Sequence, residues 1–449
     1  MGLNDAARPF VRFVERYYPD PFIFAIALTF IVMLLALGLT PSGPVEVLDS
    51  WGSGLKNLLA FMAQIAITLI TAHALAHTDA VRQLLTRLCS VPRTPFQAYF
   101  FTCFIGHCAS LFSWGLGLIV GALVAQGVGT VARERGIKVH YPLLVASAYA
   151  GWLVWHMGYS GSAPLFVATP GHALEEQLGG TIPVTETTFA TWNMLTVLAM
   201  VLVIPTTCAL MHPTNSDSAI KEIPNSAAGE ESVEQDGPPE TPGQVLDQSK
   251  FFNIGVGLLL FLYLVYWFWS EGFDLTLDIV NWSFLTLGLL LARSAEHYVR
   301  LIADASQTVG QVLLQYPFYA GIMGVMIGTG LAEVIAQWFG TFSTKDTLPF
   351  WAFIAGGIIN FFVPSGGGQW VVQGPIFIEA AKTLGTDPTK IVMGVAYGDQ
   401  WTNMIQPFWT IPLLAIAGLH MRAIMGYCFV VFFAAGIVLG GSLLIIGGG

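Results

Sequence analysis

Apolar runs of about bilayer-crossing length recur along most of this chain, separated by short polar segments. A helix needs about 20 consecutive apolar residues to traverse the hydrocarbon. On that measure, crossings fall near 20–39, 55–76, 141–165, 187–211, 250–270, 279–293, 303–330, 391–417 and 423–446. Two further stretches, 96–131 and 347–384, are nearly free of charge and rich in glycine. Each reads either as a helix with a re-entrant hairpin or as two spans. A membrane barrel would instead show alternating segments of roughly ten residues. The pattern predicts an all-α polytopic membrane protein with about 9–11 transmembrane helices.

Two of these crossings resemble each other. Tyr149–Leu165 (YAGWLVWHMGYSGSAPL) and Tyr397–Leu413 (YGDQWTNMIQPFWTIPL) both follow an alanine and both end in Pro-Leu at the same spacing. Each follows a glycine-rich apolar stretch, SWGLGLIVG (Ser113–Gly121) and PSGGGQWVVQGP (Pro364–Pro375). Paired, interrupted hydrophobic segments in matching halves point to a transporter's binding site. Counting crossings makes the two segments antiparallel, so the halves read as inverted-topology repeats. Residues 1–211 hold the first repeat, 212–250 a linker, and 251–449 a connector helix with the second repeat.

Hydrophobic residues make up 54% of the chain and charged residues 10%, against roughly 25% charged in a soluble domain. Such a chain cannot present a water-soluble surface. Arg8, Arg12 and Arg16 precede the first crossing, which reads as a retained span rather than a cleaved signal peptide. Together with Arg82, Arg87, Arg93, Arg133, Arg135 and Lys138 they mark one side, which the positive-inside rule makes cytoplasmic. The N-terminus is then inside; the loop 166–186 and the C-terminus are outside. The linker carries eight acids and two lysines among Pro, Ser and Gly, and is expected to be disordered and solvated in the cytoplasm. The five cysteines form no CxxC pair and read as small buried hydrophobes. No basic stripe suggests nucleic acid, and no motif calls for a cofactor or metal.

Candidate chemistry lies in the interrupted stretches. Ser365-Gly366-Gly367-Gly368 after Pro364 reads as a non-helical hairpin tip with exposed backbone N–H groups, which attract anions. Ser113, Trp114, Gly115 and Gly117 form the matching tip, although Gly117 and Gly121 also fit a GxxxG packing role. Asp399 is the single charged side chain between Ile391 and Met421. A carboxylate at that depth is expensive unless paired or wet, which suggests a proton carrier or cation ligand. Thr402, Asn403 and Gln400 surround it. Ser160 and Ser162 flank Gly161 in the first segment, and His156 is a candidate for a proton path. Trp114, Trp152, Trp370 and Trp401 offer walls for a short acyl chain, with Gln369 beside Trp370.

PFYAG (Pro317–Gly321), NFFVPSGGGQWVVQGP (Asn360–Pro375), AYGDQW (Ala396–Trp401) and QPFW (Gln406–Trp409) closely resemble the bacterial short-chain fatty acid transporter family. PDPFIFAIALT (Pro19–Thr29), WGSGLKNLLAF (Trp51–Phe61), YSGSAPLFVATPGH (Tyr159–His172) and AGLHMRAIMGYC (Ala417–Cys428) extend the likeness nearly end to end. The resemblance implies import of acetoacetate- and butyrate-like acids. It also implies membership of the broad ion-transporter superfamily, whose dicarboxylate/sodium symporters are elevator-type dimers with two re-entrant hairpins. Those relatives carry Ser-Asn-Thr tips where this chain has Ser-Gly-Gly-Gly and Ser-Trp-Gly.

The combined expectation is a non-enzymatic secondary transporter of short-chain monocarboxylates in the plasma (inner) membrane, coupled to H+ or Na+, and a homodimer. The carboxylate would meet Ser113, Gly115, Gly117, Ser365, Gly366, Gly367 and Gly368; Asp399, Asn403 and Thr402 would hold the coupling ion. A cation-coupled dicarboxylate carrier or antiporter is the alternative within transport. A passive channel is separated from both by its failure to accumulate substrate.

Overall fold

The computed structural model describes residues 3–213, 221, 223, 241–272, 276–306 and 309–447. Among these residues the regular structure is entirely helical. Among the described residues six segments are long and apolar enough to cross a membrane: Pro21–Leu39, Pro44–Ala76, Trp114–Glu134, Thr191–Leu210, Pro242–Ser270 and Met421–Gly447. Val312–Gly328 and Leu331–Gly340 make a seventh if the pair, bent by 60°, is one span. Local chemistry sets where these helices start. Pro21 occupies the first turn, where its missing N–H costs nothing, and Asp20 caps it by accepting from Phe22 N at 2.9 Å.

The two glycine-rich stretches fold as helical hairpins. The first pairs Pro95–Phe112 with Trp114–Glu134, reversing at Ser113. Arg135 Nη1 donates to Ser90 O at 2.6 Å, so the second arm returns to where the first began. The second hairpin pairs Leu348–Asn360 with Gly366–Leu384, and Thr386 Oγ1 donates to Lys345 O at 2.9 Å across its open end. Its first arm has 13 residues, about 20 Å at 1.5 Å per residue, too short to traverse a hydrocarbon core of about 30 Å.

The two matched segments are broken rather than continuous. The first runs as Tyr141–Ala150, a tighter 3-10 stretch Gly151–Met157, and a short helix Ser162–Ala168. The second runs as Pro388–Asn403 and Pro407–Ala417. Gly158, Gly161 and Pro407 sit at the breaks, where the helical ladder is interrupted. The two segments lie side by side. Tyr141 Oη donates to Ala417 O at 2.9 Å, Tyr149 Oη to Asn403 O at 2.5 Å, and His156 Nδ1 meets Asp399 Oδ2 at 2.8 Å. Numbers rise along one segment as they fall along the other, so the pair is antiparallel.

The ends sort onto two faces. One gathers Tyr18 with Arg422, Tyr99 with His212 and His140, and Tyr141 with Ala417. The opposite face gathers Lys345 with Thr386 and Lys390 with Ile446. The first hairpin opens on the former face and the second on the latter, as inverted repeats require.

Three features differ from the sequence reading. Gly366–Gly368 are the first turn of a regular helix, with Ser365 at its N-cap, and Trp114–Gly117 are likewise helical. Glycine loses little in a first turn whose N–H groups have no intrahelical acceptor anyway. Most of the linker, 214–220, 222 and 224–240, lies outside the described residues. Its described part is not simply solvated: Lys221 N donates to His140 Nδ1 at 3.0 Å, Tyr141 N donates to Lys221 O at 2.7 Å, and Ile223 is buried. The amphipathic helices Leu3–Tyr17 and Ala295–Ser306 are not apparent from crossing length, because charge interrupts their apolar faces.

Candidate functional site

The first hairpin tip is fastened to the first break. Ser113 is extended, which turns the chain sharply between two helices. Trp114 N donates to Ser160 Oγ at 2.8 Å, and Trp152 Nε1 donates to Trp114 O at 2.8 Å. Tyr159 N donates to Leu111 O at 2.7 Å. Trp114 also packs edge-on against Trp409, just past the second break, at 5.6 Å between ring centres. Phe61, Tyr316 and Phe408 complete an aromatic cluster there. Composition gives no sign of this cluster, since its members come from four distant helices.

The second hairpin meets the same first break from another side. Its first-turn N–H groups, at Gly366, Gly367 and Gly368, have no intrahelical acceptors. A Cβ at Gly366 would lie 2.5 Å from His156 Cε1, 2.5 Å from Ser162 Oγ and 2.9 Å from Trp155 Cη2. At Gly367 the nearest contact would be Ser162 Cβ at an ordinary 3.7 Å. Glycine is therefore dictated by close approach at Gly366 and not at Gly367. Neither has positive φ; the left-handed glycines, such as Gly330 and Gly385, flank helices elsewhere.

Asp399 and His156 are both buried and form the link between the broken segments. The proton positions on His156 follow from its partners. Ala163 N, which can only donate, points at His156 Nε2 at 3.0 Å. Nε2 must therefore carry a lone pair, and the ring proton sits on Nδ1, donating to Asp399 Oδ2. His156 N donates to Gln400 Oε1 at 3.1 Å, a further tie between the segments. Asn360 Nδ2 faces three acceptors: Asp399 O at 2.9 Å, Thr402 Oγ1 at 2.9 Å and Asn403 Oδ1 at 2.7 Å. Two hydrogens there serve three oxygens. Buried amide atoms of both kinds nearby have no hydrogen-bond partner: the acceptors Asn360 Oδ1, Gln369 Oε1 and Gln406 Oε1 and the donors Gln400 Nε2 and Asn403 Nδ2.

The predicted residues thus separate. Ser113, Trp114, Ser160, Ser162, Ser365, Gly366, Asp399, Thr402 and Asn403 lie at the tips, the first break or the Asp399 corner. Gly115 and Gly368 sit in the first turns behind the tips. Gly117 packs against Ser110 of the other hairpin arm, and Gly121 approaches Ala148 O, as the GxxxG reading expects. Gln369 Nε2 donates to Gly356 O and clamps the second hairpin. Trp370 is fully buried in that hairpin. Trp401 stacks on Phe432 at 4.3 Å and donates to Phe432 O, so it anchors the last crossing. Sequence reasoning missed three residues. Asn360 ends the first arm of the second hairpin and bonds the corner. Gln406 donates to Asn360 O at 3.0 Å. Asn193 joins Met157 O and Tyr397 Oη. Buried amides beside proline or glycine breaks were the available signal.

Comparison with known proteins places the chain in a family. The family described as "Short chain fatty acid transporter" matches residues 3–446. A relative in Escherichia coli (strain K12), provisionally named a short-chain fatty acid transporter, is 42% identical over 435 residues, covering 96% of this chain and 97% of its own. One in Haemophilus influenzae (strain ATCC 51907 / DSM 11121 / KW20 / Rd), under the same provisional name, is 39% identical over 435 residues, covering 95% and 96%. Among solved structures, MtrF of Neisseria gonorrhoeae, from a class of antimetabolite efflux pumps, aligns over 97% of both chains at 15% identity and a TM-score of 0.42. The YdaH transporter of Alcanivorax borkumensis aligns over 94% of this chain and 98% of its own at the same identity and score. At that score neither structure bears on the reading of this one. The two close relatives and the near end-to-end match settle the family: this multi-pass membrane chain belongs to the short-chain fatty acid transporters.

Proposed function

We propose that this protein imports short-chain monocarboxylates, acetoacetate- and butyrate-like, across the plasma (inner) membrane, driven by one coupling cation per anion. The buried His156–Asp399 contact carries this reading. With the ring neutral and the carboxylate ionised, the pair holds one negative charge beside the second hairpin tip. A substrate carboxylate brought to the first-turn N–H groups of Gly366–Gly368 and to Ser162 would add a second. Like charges in a low-dielectric site repel strongly. One proton on the pair removes that repulsion, so anion and proton bind together and cross as a neutral set. Sodium held by the oxygens of Asp399, Thr402 and Asn403 would serve the same purpose, since hard cations take oxygen ligands.

No lysine or arginine lies in the tips or breaks. A second carboxylate would be desolvated there without a partner, which disfavours dicarboxylates. An elevator-type movement, a homodimer and a cytoplasmic N-terminus with an external C-terminus complete the proposal. The first two rest on the family likeness, the last on loop charge. Cysteines placed at Thr185 and Ser216 should label from opposite sides of the membrane; labelling from one side would refute the orientation.

Labelled butyrate uptake in proteoliposomes, with pH and sodium gradients imposed separately, tests the coupling. An inward proton gradient should drive accumulation. Asp399→Asn should abolish accumulation and leave downhill exchange at least a tenth as fast. Accumulation driven by sodium alone assigns the coupling to sodium. Unchanged gradient-driven accumulation in Asp399→Asn removes the pair from the mechanism.

A further inference from the structure

A cavity of about 470 Å³ opens on the face that gathers Tyr18, Tyr141 and Ala417. Its polar wall is Lys221, His420 and Arg422; its apolar floor includes Ile411, Leu414 and Leu419. These come from separate parts of the chain. Ile411 and Leu414 lie on Pro407–Ala417, the helix that begins at the second break. Its 11 residues put the cavity about 16 Å or less from that break. Arg422 is held in place because its Nε donates to Tyr18 O at 2.8 Å, which leaves its terminal nitrogens for another acceptor.

Lys221 belongs to the linker. Its backbone is pinned between His140 Nδ1 and Tyr141 N, at the start of the first broken segment. That pinning sets Lys221 on the rim of the cavity. Asp20 also lines the cavity, but its carboxylate already caps Phe22 N. The wall is therefore one held guanidinium, one lysine on a pinned backbone and an imidazole against one carboxylate that caps a helix. That balance suits a single anionic head, and the floor suits a short apolar tail.

We propose that this cavity is a second, peripheral carboxylate site, where a short-chain monocarboxylate rests between solution and the central site; the assignment of ligand rests on the transport reading above. The linker then has a defined role, since it supplies Lys221 to the wall. Guanidinium and ammonium groups would hold the carboxylate as charge-assisted hydrogen-bond donors. An anionic lipid headgroup presents related chemistry, so lipid composition must be varied in the test.

The test uses the full chain in phosphatidylcholine liposomes. Cys108, the exposed cysteine, is changed to Ser, and Ala423 on the cavity wall to Cys. Modification of Cys at this position by N-ethylmaleimide is followed by mass spectrometry with increasing butyrate. Butyrate should slow the reaction at least threefold. Protection should persist when Gly366→Val blocks the central site and should vanish in Lys221→Gln with Arg422→Gln. No protection in a protein that transports butyrate overturns the peripheral site and leaves the transport function standing. Protection lost with Gly366→Val also overturns it, because the cysteine was then reporting the central site. Stronger protection from phosphatidylglycerol in the vesicles than from butyrate assigns the cavity to lipid instead. Protection without any butyrate transport would refute the proposed function while keeping the site.

Discussion

The two hairpin tips face the same break in the first broken segment, yet they are held by different forces. The first is tied by directed hydrogen bonds: Trp114 N to Ser160 Oγ, Trp152 Nε1 to Trp114 O, and Tyr159 N to Leu111 O. One of its first-turn donors, Trp114 N, and two of its carbonyls, those of Leu111 and Trp114, are spent on the protein itself. The second tip is hydrogen-bonded where its first arm ends, Asn360 Nδ2 to the Asp399 corner and Gln406 Nε2 to Asn360 O and Phe361 O, but its glycine end is seated by shape. Gly366 lies in van der Waals contact with His156, Ser162 and Trp155, while its first-turn N–H groups have no intrahelical acceptors. A tip fixed by hydrogen bonds is a structural joint. A tip whose glycine end is fixed by fit alone, with the His156–Asp399 pair against it, can exchange a protein contact there for a ligand.

The largest effect should come from disturbing that fit. Gly366→Val places branched carbon where His156 Cε1 and Ser162 Oγ already stand, and overpacking typically costs 1–3 kcal/mol or more. Butyrate uptake should fall at least twentyfold at normal membrane abundance. Gly367→Ala, one residue on, meets ordinary contact distance and should keep uptake within about twofold. Equal losses from both would mean that the triple glycine is required for backbone approach by a ligand along its whole length. Uptake by Gly366→Val near wild type would show that the second tip does not close on His156 during transport.

How much of this was legible in the sequence follows from what each feature depends on. Crossings, the repeat and its antiparallel sense rest on apolar length and spacing, and the contacts from Tyr141 to Ala417 and from His156 to Asp399 agree with them. Asp399 stands out because an isolated carboxylate in an apolar run needs a partner. The partner's identity was not legible: His156 is 243 positions away, and only folding brings it to Asp399. The glycine tip is recognisable as special, but which glycine matters depends on neighbours from the other repeat. Trp401 looks like Trp114 in one dimension and packs against the last crossing in three. Asn360 and Gln406 were hidden because a buried amide in an apolar segment has no pattern of its own.

The smallest and most discriminating effect concerns the two serines that flank Gly161. Ser160 accepts the N–H of Trp114, a part-buried donor at the start of a helix. Ser160→Ala leaves that donor unpaired, at a cost of about 1–3 kcal/mol, and should lower the thermal midpoint while reducing uptake only in proportion to folded protein. Ser162 Oγ meets His156 Nε2 at 3.3 Å, yet Ala163 N already donates to the same lone pair at 3.0 Å. Ser162→Ala should therefore change stability by less than about 0.5 kcal/mol. Its effect belongs to binding: with one hydroxyl fewer at the second tip, the apparent affinity for butyrate should fall by roughly threefold to tenfold, the loss of one hydrogen bond. The pair of variants thus separates joint from site. A stability loss in Ser162→Ala with unchanged affinity, or an affinity loss in Ser160→Ala with unchanged stability, would reverse the roles assigned to the two tips.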